Sequence, residues 1–169
     1  MKLDIAIEPI ITDNTAFTVL TALRNLGYEE LDRVERADHL LLELDDGPAA
    51  QAVAEKISRA EIIFNPNKHR LRFVEADGAP GRDAGSFEVL VHDKDEDNKR
   101  LVKALVSTFG IGGLRGLERA VLWRLDDRKG SASRERLEWS CRNLLANPVS
   151  QTYRIRQKPP YRELAAAAR

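Results

Sequence analysis

The chain has 169 residues, of which 43% are hydrophobic and 32% are charged, and its 27 basic side chains balance its 27 acidic ones. This composition is typical of a soluble globular domain, and no uncharged apolar run reaches the roughly 18 residues of a membrane-spanning helix. The opening residues carry acids where a signal peptide would be apolar, so we expect a cytoplasmic protein. Cys141 is the single cysteine, which excludes an internal disulfide, and its leucine neighbours predict a packing role.

The segment 1–75 predicts the order strand, helix, strand, helix, strand. The apolar residues of LDIAIEPI alternate as in a strand, Asp13 or Asn14 can cap the next helix, and Gly27 suits its C-terminus. Pro48 fits the first position of the second helix. The last strand begins after Asn65-Pro66, because proline disfavours helical angles in the residue before it. The apolar positions of the long middle strand are Val34, Leu40, Leu42 and Leu44.

The segment 86–157 predicts the same order. SFEVLVHD alternates, a helix with an apolar stripe follows, and Gly110 falls at its C-terminus. Ser131 or Ser133 can cap the second helix, and Asn147-Pro148 precedes the final strand. The apolar positions of the long middle strand are Leu117, Val121, Trp123 and Leu125.

The two halves also align with each other. Placing Gly27 over Gly110, an offset of 110 − 27 = 83, aligns LGYEELDRVERADHLLL with FGIGGLRGLERAVLWRL. The Asn-Pro corners have nearly the same offset, 147 − 65 = 82, and this consistency indicates an internal duplication. We therefore expect repeat 1 at residues 1–75, a Gly- and Pro-rich linker at 76–85, repeat 2 at 86–157, and a tail at 158–169 that forms one short helical turn or frays.

Such a repeat is incomplete alone, because three strands with two helices on one side leave a bare sheet face and exposed edges. We expect an α+β fold in which the two repeats form an intramolecular pseudo-dimer, with antiparallel sheets and helices packed on one face. Each repeat would then cover the sheet that the other leaves open.

Charge is distributed unevenly between the halves. Residues 1–80 hold 9 basic and 15 acidic side chains, whereas residues 81–169 hold 18 basic and 12 acidic ones. Either the two halves attract each other, or the basic half meets an acidic partner.

No stretch carries a recognisable catalytic, cofactor-binding or metal-binding pattern. GIGGLRG lacks the third glycine of a dinucleotide loop, and its order is helix then strand. DKDEDN has Asn98 and Ala104 where a calcium loop needs glycine and glutamate. His39, His69 and His92 lack metal-ligand spacing, and we expect His39 to be exposed. We therefore predict no catalytic residue, cofactor or metal site.

Two polar pairs recur at equivalent positions, namely Glu35-Arg36 and Glu118-Arg119. They could face one another across a pseudo-twofold axis or contact a partner, or they could simply be solvated. Trp123 and Trp139 occupy apolar positions, so we expect both in the core.

These motifs resemble the PurS family, the small subunit of phosphoribosylformylglycinamidine synthase, whose members have this element order in a chain about half as long. The segment LLANPV with Tyr153 soon after it is similar to the family's corner, and the first half keeps only Asn65-Pro66 of that corner. Arg36 and Arg119 match the arginine of the family's Val-Arg-x-Gly-Lys strand, whose Gly-Lys is missing in both halves.

The resemblance implies a non-catalytic adaptor in purine biosynthesis, part of an ATP-dependent amidotransferase complex. Its partners would be the large synthetase subunit and the glutaminase subunit, held in register for ammonia transfer. The candidate interface residues are Glu35, Arg36, Glu118, Arg119, Asn147, Pro148 and Tyr153. A further homo-oligomer stays open, and we expect neither a membrane nor a nucleic acid as partner.

Two other functions compete with the adaptor. A tandem of ACT-like domains would sense a small molecule, although ACT-like units place two strands between their helices and this sequence predicts one. Nucleic-acid binding would use the arginines of the basic half, but stacking aromatics are scarce. Those arginines are Arg115, Arg119, Arg124, Arg134, Arg136 and Arg142.

Overall fold

A computed structural model describes residues 1–45, 47, 49–76 and 85–164. These residues form an α+β fold with an eight-stranded antiparallel sheet and four α-helices. Pro48 and residues 77–84 of the expected linker lie outside the described residues. The elements are β1 (Lys2–Pro9), α1 (Asn14–Asn25), β2 (Leu31–Leu44), α2 (Ala50–Ile57), β3 (His69–Glu75), β4 (Phe87–Asp93), α3 (Lys99–Ser107), β5 (Leu114–Asp127), β6 (Gly130–Ser131), α4 (Arg134–Ser140), which continues into a π-helical turn (Cys141–Leu145), β7 (Gln151–Gln157) and β8 (Arg162–Glu163).

Local sequence sets the helix ends as predicted. Asp13 is the N-cap of α1, where its side chain accepts hydrogen bonds from two backbone N–H groups of the first turn, and Ser133 caps α4. Gly27 and Gly110 follow α1 and α3 with φ angles of 116° and 65°. Glycine adopts this left-handed conformation without steric cost, so both residues end a helix and turn the chain toward a long strand.

The strands follow the order β7-β4-β5-β2-β1-β3-β8, and β6 forms a hairpin with β5. The central strands β2 and β5 have 14 residues each and pair antiparallel, from Leu31 opposite Asp127 to Leu44 opposite Leu114. The two halves therefore share one continuous sheet. The two halves join edge to edge, because pairing the long strands satisfies two edges that would otherwise expose backbone hydrogen-bonding groups. The expectation that each half covers the other's sheet holds only for the first helix of each half.

One face of the sheet, the helix-side face, carries all four helices. Because side chains alternate along a strand, Leu3 of β1 and Leu40 of β2 point to this face. A first apolar cluster holds the helix-side residues of β1 and β3, those of α2, and also Leu105 of α3. A second apolar cluster holds the buried residues of β4, β7 and α4, and also Ala16 and Leu23 of α1. The first helix of each half thus packs in the cluster that belongs mainly to the other half.

The second cluster confirms two predictions about the core. Trp123 is buried there, and Trp139 is partly buried against it. Cys141 is also buried in this cluster, and burial, together with the nearby Glu138 charge, raises the pKa of its thiol to about 12. The thiol therefore stays protonated and serves in packing.

The opposite, helix-free face is crossed by the C-terminal segment Lys158–Leu164. This segment leaves β7 at one end of the sheet, and β8 within it pairs with β3 near the other end. The sheet curves enough for Arg156 of β7 to lie 3.2 Å from Asp4 of β1, although three strands separate them. The expectation of a short helical turn or a frayed tail was wrong for this segment, because pairing with β3 and partial burial of Tyr161 hold it extended. Residues 165–169 lie outside the described residues.

Ion pairs between acidic and basic side chains join the two halves. Ion pairs link acids of the first half with arginines of the second, and those in the described part of the chain are Asp4–Arg156, Glu8–Arg124, Glu30–Arg136, Asp45–Arg115 and Glu75–Arg162. The prediction that the two halves attract each other is therefore confirmed. Within the same residues, we find no helix with the length and apolarity needed to cross a membrane.

Candidate functional site

The helix-free face holds a cluster of charged side chains, which we call the charge network. It consists of Asp4, Glu8, His39, Glu88, Arg124, Arg156 and Tyr161. The strand residues alternate with apolar ones that point to the helices, so they point the other way. Asp4, His39 and Glu88 are at most 1% exposed. Ionised groups at such depth are stable only when each has a partner of opposite charge or a hydrogen bond.

Arg156 is the centre of the network. Its Nη2 donates to Glu88 Oε1 at 2.7 Å, to Asp4 Oδ1 at 3.2 Å and to the Tyr161 hydroxyl at 2.7 Å. The Tyr161 hydroxyl also lies 2.8 Å from Asp4 Oδ1. One guanidinium from β7 therefore joins carboxylates on β1 and β4 with the C-terminal segment.

Arg124 continues the network toward Glu8. Its Nε donates to Glu88 Oε2 at 3.1 Å and its Nη1 donates to Glu8 Oε1 at 2.5 Å. The guanidinium carbon lies 5.4 Å from the centre of the Tyr161 ring, a cation–π distance. Arg124 Nη2 is buried and has no hydrogen-bond partner among the described residues. A buried donor without an acceptor costs about 1–3 kcal/mol, so this nitrogen weakens the network.

His39 lies inside the network, and the prediction that it is exposed was wrong. Its Nε2 is 2.8 Å from Asp4 Oδ1, and its Nδ1 is buried without a partner among the residues described. His39 alternates with the apolar residues Leu40 and Leu42 of β2, so it lies on the helix-free face. That face is buried because the sheet curves and the C-terminal segment crosses it.

The electrostatics of the network favour fixed charges over proton transfer. Burial alone would raise the pKa of Asp4, but hydrogen bonds and charges from His39 and Arg156 outweigh burial and hold that pKa well below its usual range. Burial and the charges of Glu88 and Asp4 raise the pKa of Tyr161 far above its usual value. Near neutral pH the acid is therefore ionised and the phenol neutral, so the geometry fits an electrostatic clamp.

The predicted pairs Glu35-Arg36 and Glu118-Arg119 do not face one another. Arg36 lies opposite Trp123 in the strand register, and Arg119 lies opposite Leu40. Instead, Arg36 pairs with Asp13 at 3.0 Å and Arg119 pairs with Glu96 at 3.4 Å, so each arginine ties its long strand to the segment before the preceding helix.

The two glutamates of these pairs point to the helix-free face. Glu35 forms an ion pair with Arg33 and lines a cavity beside it. Glu118 is exposed. The two positions are therefore equivalent in the sheet but differ in their surroundings.

The corner residues Asn147 and Pro148 are exposed and rigidly held. Asn147 Oδ1 accepts a hydrogen bond from Val149 N at 3.0 Å, and the Pro148 carbonyl accepts one from Lys94 Nζ at 2.7 Å. Tyr153 is half-buried and donates to Glu138 Oε1 at 2.6 Å. Val149, next to this pair, is 84% exposed, so one apolar side chain of the corner faces the solvent.

The arginines proposed for nucleic-acid binding do not form one free surface. Arg124 is buried in the charge network, while Arg115, Arg119, Arg136 and Arg142 each form an ion pair with an acid of this chain. A basic stripe open to phosphates is the usual sign of nucleic-acid binding, so this arrangement does not favour that function.

Sequence reasoning missed the charge network. Asp4 and Glu8 alternate with Leu3, Ile5 and Ile7, which was a signal that two acids share one face of β1. Two of their partners, Arg156 for Asp4 and Arg124 for Glu8, lie more than 100 positions away in the chain. Local patterns carry no information about such pairs.

Among the residues described, no group of three or more His, Cys, Asp or Glu side chains is arranged to hold a metal ion. Comparison with known protein families finds no family model that matches this chain, and comparison with curated proteins finds no match either.

Proposed function

We propose that this chain is a non-catalytic adaptor subunit of phosphoribosylformylglycinamidine synthase, built from two PurS-like repeats fused into an intramolecular pseudo-dimer. The adaptor would hold the large synthetase subunit and the glutaminase subunit together in the cytoplasm, so that ammonia passes between them. The observation that carries the proposal is the pairing of β2 with β5, which has twofold symmetry at the offset of the sequence duplication.

The symmetry can be read from the strand bounds. β2 spans Leu31–Leu44 and β5 spans Leu114–Asp127, so both ends differ by 83 positions, since 114 − 31 and 127 − 44 are equal. This offset is the one that aligns the two halves of the sequence. Two strands of different origin would have no reason to begin and end at the same offset.

The register has the same symmetry. Asp38 pairs with Val121, which is its own equivalent at the offset of 83. Glu35 pairs with Arg124, and the equivalents of these two residues, Glu118 and Leu41, also pair. A twofold axis between Asp38 and Val121 therefore relates the two long strands, as in a symmetric dimer in which each subunit presents the same edge.

Helix packing also supports a pseudo-dimer. Leu105 of the second half is buried with Leu3 and Ile5 of the first, and Leu23 of the first half is buried with Val89 of the second. Neither half would keep a complete core alone. Fusion of the two units raises the effective concentration of one for the other to roughly millimolar, which makes their pairing permanent.

The candidate interface is the exposed corner at Asn147 and Pro148, because it carries the strongest part of the PurS resemblance. Val149 protrudes from it and buries almost nothing within the chain. A single exposed valine is common on protein surfaces, so the resemblance, more than the exposure of Val149, makes this corner the candidate contact.

The test is reconstitution with the synthetase and glutaminase subunits of the same organism. We expect glutamine-dependent formation of phosphoribosylformylglycinamidine to require this chain, whereas formation from free ammonia proceeds without it. Stable association of all three chains in gel filtration is the second readout. If glutamine-dependent activity is the same with and without this chain, it is not the adaptor.

A matched pair of variants tests the corner. Val149→Asp should weaken assembly, whereas Asn67→Asp, at the equivalent position of the first corner, should not. The backbone N–H of Asn67 makes the same hydrogen bond, to Asn65 Oδ1, as that of Val149 makes to Asn147 Oδ1. Equal assembly of both variants would show that the corner is not the contact.

The ACT-like alternative has less support. In the described part of the chain, one strand, β2, separates α1 from α2, and the two-residue β6 accompanies β5 between α3 and α4.

A further inference from the structure

A cavity of about 170 Å³ lies where β1 ends at Pro9, between the start of α1 and the part of β2 that extends past β1. Four arginines line it, namely Arg33, Arg36, Arg70 and Arg124. The volume is close to that of an engineered cavity of about 150 Å³ that admits benzene, so it can hold a small organic molecule.

The arginines outnumber the acids around this cavity. Three acids line it, and each pairs with an arginine: Glu8 with Arg70 and Arg124, Asp13 with Arg36, and Glu35 with Arg33. Glu88 also pairs with Arg124, but it is not among the residues that line the cavity. Among the described residues that line the cavity, four positive charges therefore stand against three negative ones, which favours a monoanion over a cation.

Arg124 is the second, independent indication of a ligand. It is 7% exposed, it lines the cavity, and its Nη2 has no hydrogen-bond partner in the described part of the chain. A buried guanidinium nitrogen without an acceptor is unusual in a folded protein, and an anion accepts from guanidinium groups at two points.

The equivalent region of the second half lacks most of these arginines. At the duplication offset of 83, Gly116 stands where Arg33 stands, and Leu41 stands where Arg124 stands. The corresponding surface there is lined by Lys99, Lys103 and Arg115. The arginine cavity is thus specific to one side of the pseudo-dimer, as expected for a site acquired after the duplication.

We propose that this cavity binds a small anion with one carboxylate or phosphate group, which accepts hydrogen bonds from Arg124, Arg70 and Arg36. The site lies on a different part of the chain from the exposed corner. Its occupancy can therefore be measured on the isolated protein, without the partner subunits.

The experiment is an NMR titration of the full chain, following backbone amides and arginine Nε–Hε signals. Sodium phosphate is the probe in one series and sodium acetate in another, at ionic strength held constant with sodium chloride. We expect saturable shifts at Arg124 and at the amides of β2 residues 33–37, and the series that saturates identifies the anion class. Shifts that do not saturate in either series, or that sodium chloride alone reproduces, would overturn the proposal.

A matched pair of variants locates the site. Arg70→Thr introduces the residue found at the equivalent position, Thr152, and the Arg70 side chain is 40% exposed, so the fold should persist. We expect this variant to bind about tenfold more weakly, because it loses one charge-assisted contact. Arg115→Gln, beside the second-half surface, should bind as the wild type does. Unchanged affinity in Arg70→Thr, or an equal loss in Arg115→Gln, would also overturn the assignment.

Discussion

The helix-side face of the sheet is covered by four helices and filled with aliphatic side chains, whereas the helix-free face is covered by the segment Lys158–Leu164 and holds the charge network. Apolar packing is nondirectional, so neighbouring side chains can adjust to a change. The charge network is directional, and each carboxylate depends on particular arginines. The two faces should therefore respond differently to substitution.

The largest effect is expected from breaking the charge network at Glu88. This residue accepts from Arg124 and Arg156 through its two carboxylate oxygens. Glu88→Gln removes the charge that both arginines share, and loss of one partner of a buried ion pair costs about 3–5 kcal/mol of unfolding free energy. Urea denaturation measures the loss. Glu118→Gln, exposed on the same face, is the control and should stay within about 0.5 kcal/mol of the wild type. A loss of unfolding free energy below about 1 kcal/mol in Glu88→Gln would contradict the claim that the carboxylates of this face depend on particular arginines.

On the helix-side face, Leu105→Ala should cost about 3 kcal/mol, because it leaves a cavity in the first apolar cluster. The matched control is Val106→Ala, since Val106 is 40% exposed on the same helix and should lose much less. Thermal and urea unfolding measure both variants. Equal losses would mean that α3 is not anchored by Leu105 in the core of the other half.

The pH dependence of stability compares the two faces directly. The pKa of Asp4 is lower in the folded than in the unfolded protein, so its carboxylate stabilises the fold above the ordinary carboxyl pKa of about 4, and this stabilisation is lost as the pH falls. We expect the stability gap between wild type and Asp4→Asn to narrow from pH 7 to about pH 3. The gap for Leu105→Ala should stay constant over this range. A constant gap for Asp4→Asn would refute the assigned role of its charge.

The smallest effects are expected from the two partly exposed ion pairs on the long strands. Arg36→Ala and Arg119→Ala should each cost about 0.5 kcal/mol, because exposed pairs are screened by water. Their losses should match, since the two arginines occupy equivalent positions. Urea denaturation in low and high salt tests the size of the two losses and their equality. A much larger loss of stability for Arg36→Ala would indicate that the cavity lined by Arg36 makes its ion pair with Asp13 stronger.

Much of the fold could be predicted from periodicity and turn chemistry. The cap at Asp13, the glycines at 27 and 110, and the strand starts after the two Asn-Pro corners are all local features, and the structure confirms each of them. The candidate site could not be predicted in the same way. Tyr161 was assigned to a tail expected to form one short helical turn or to fray, yet its hydroxyl bridges Asp4 and Arg156.

The sequence by itself determined the element order and the opposite charges of the two halves, because these depend on neighbours within a short stretch or on composition. Only the tertiary structure decided that the halves join through β2 and β5 and that the resulting sheet curves. The curvature brings charges that are distant in the chain close together, and their Coulomb energies depend on distances in space, which no local pattern encodes.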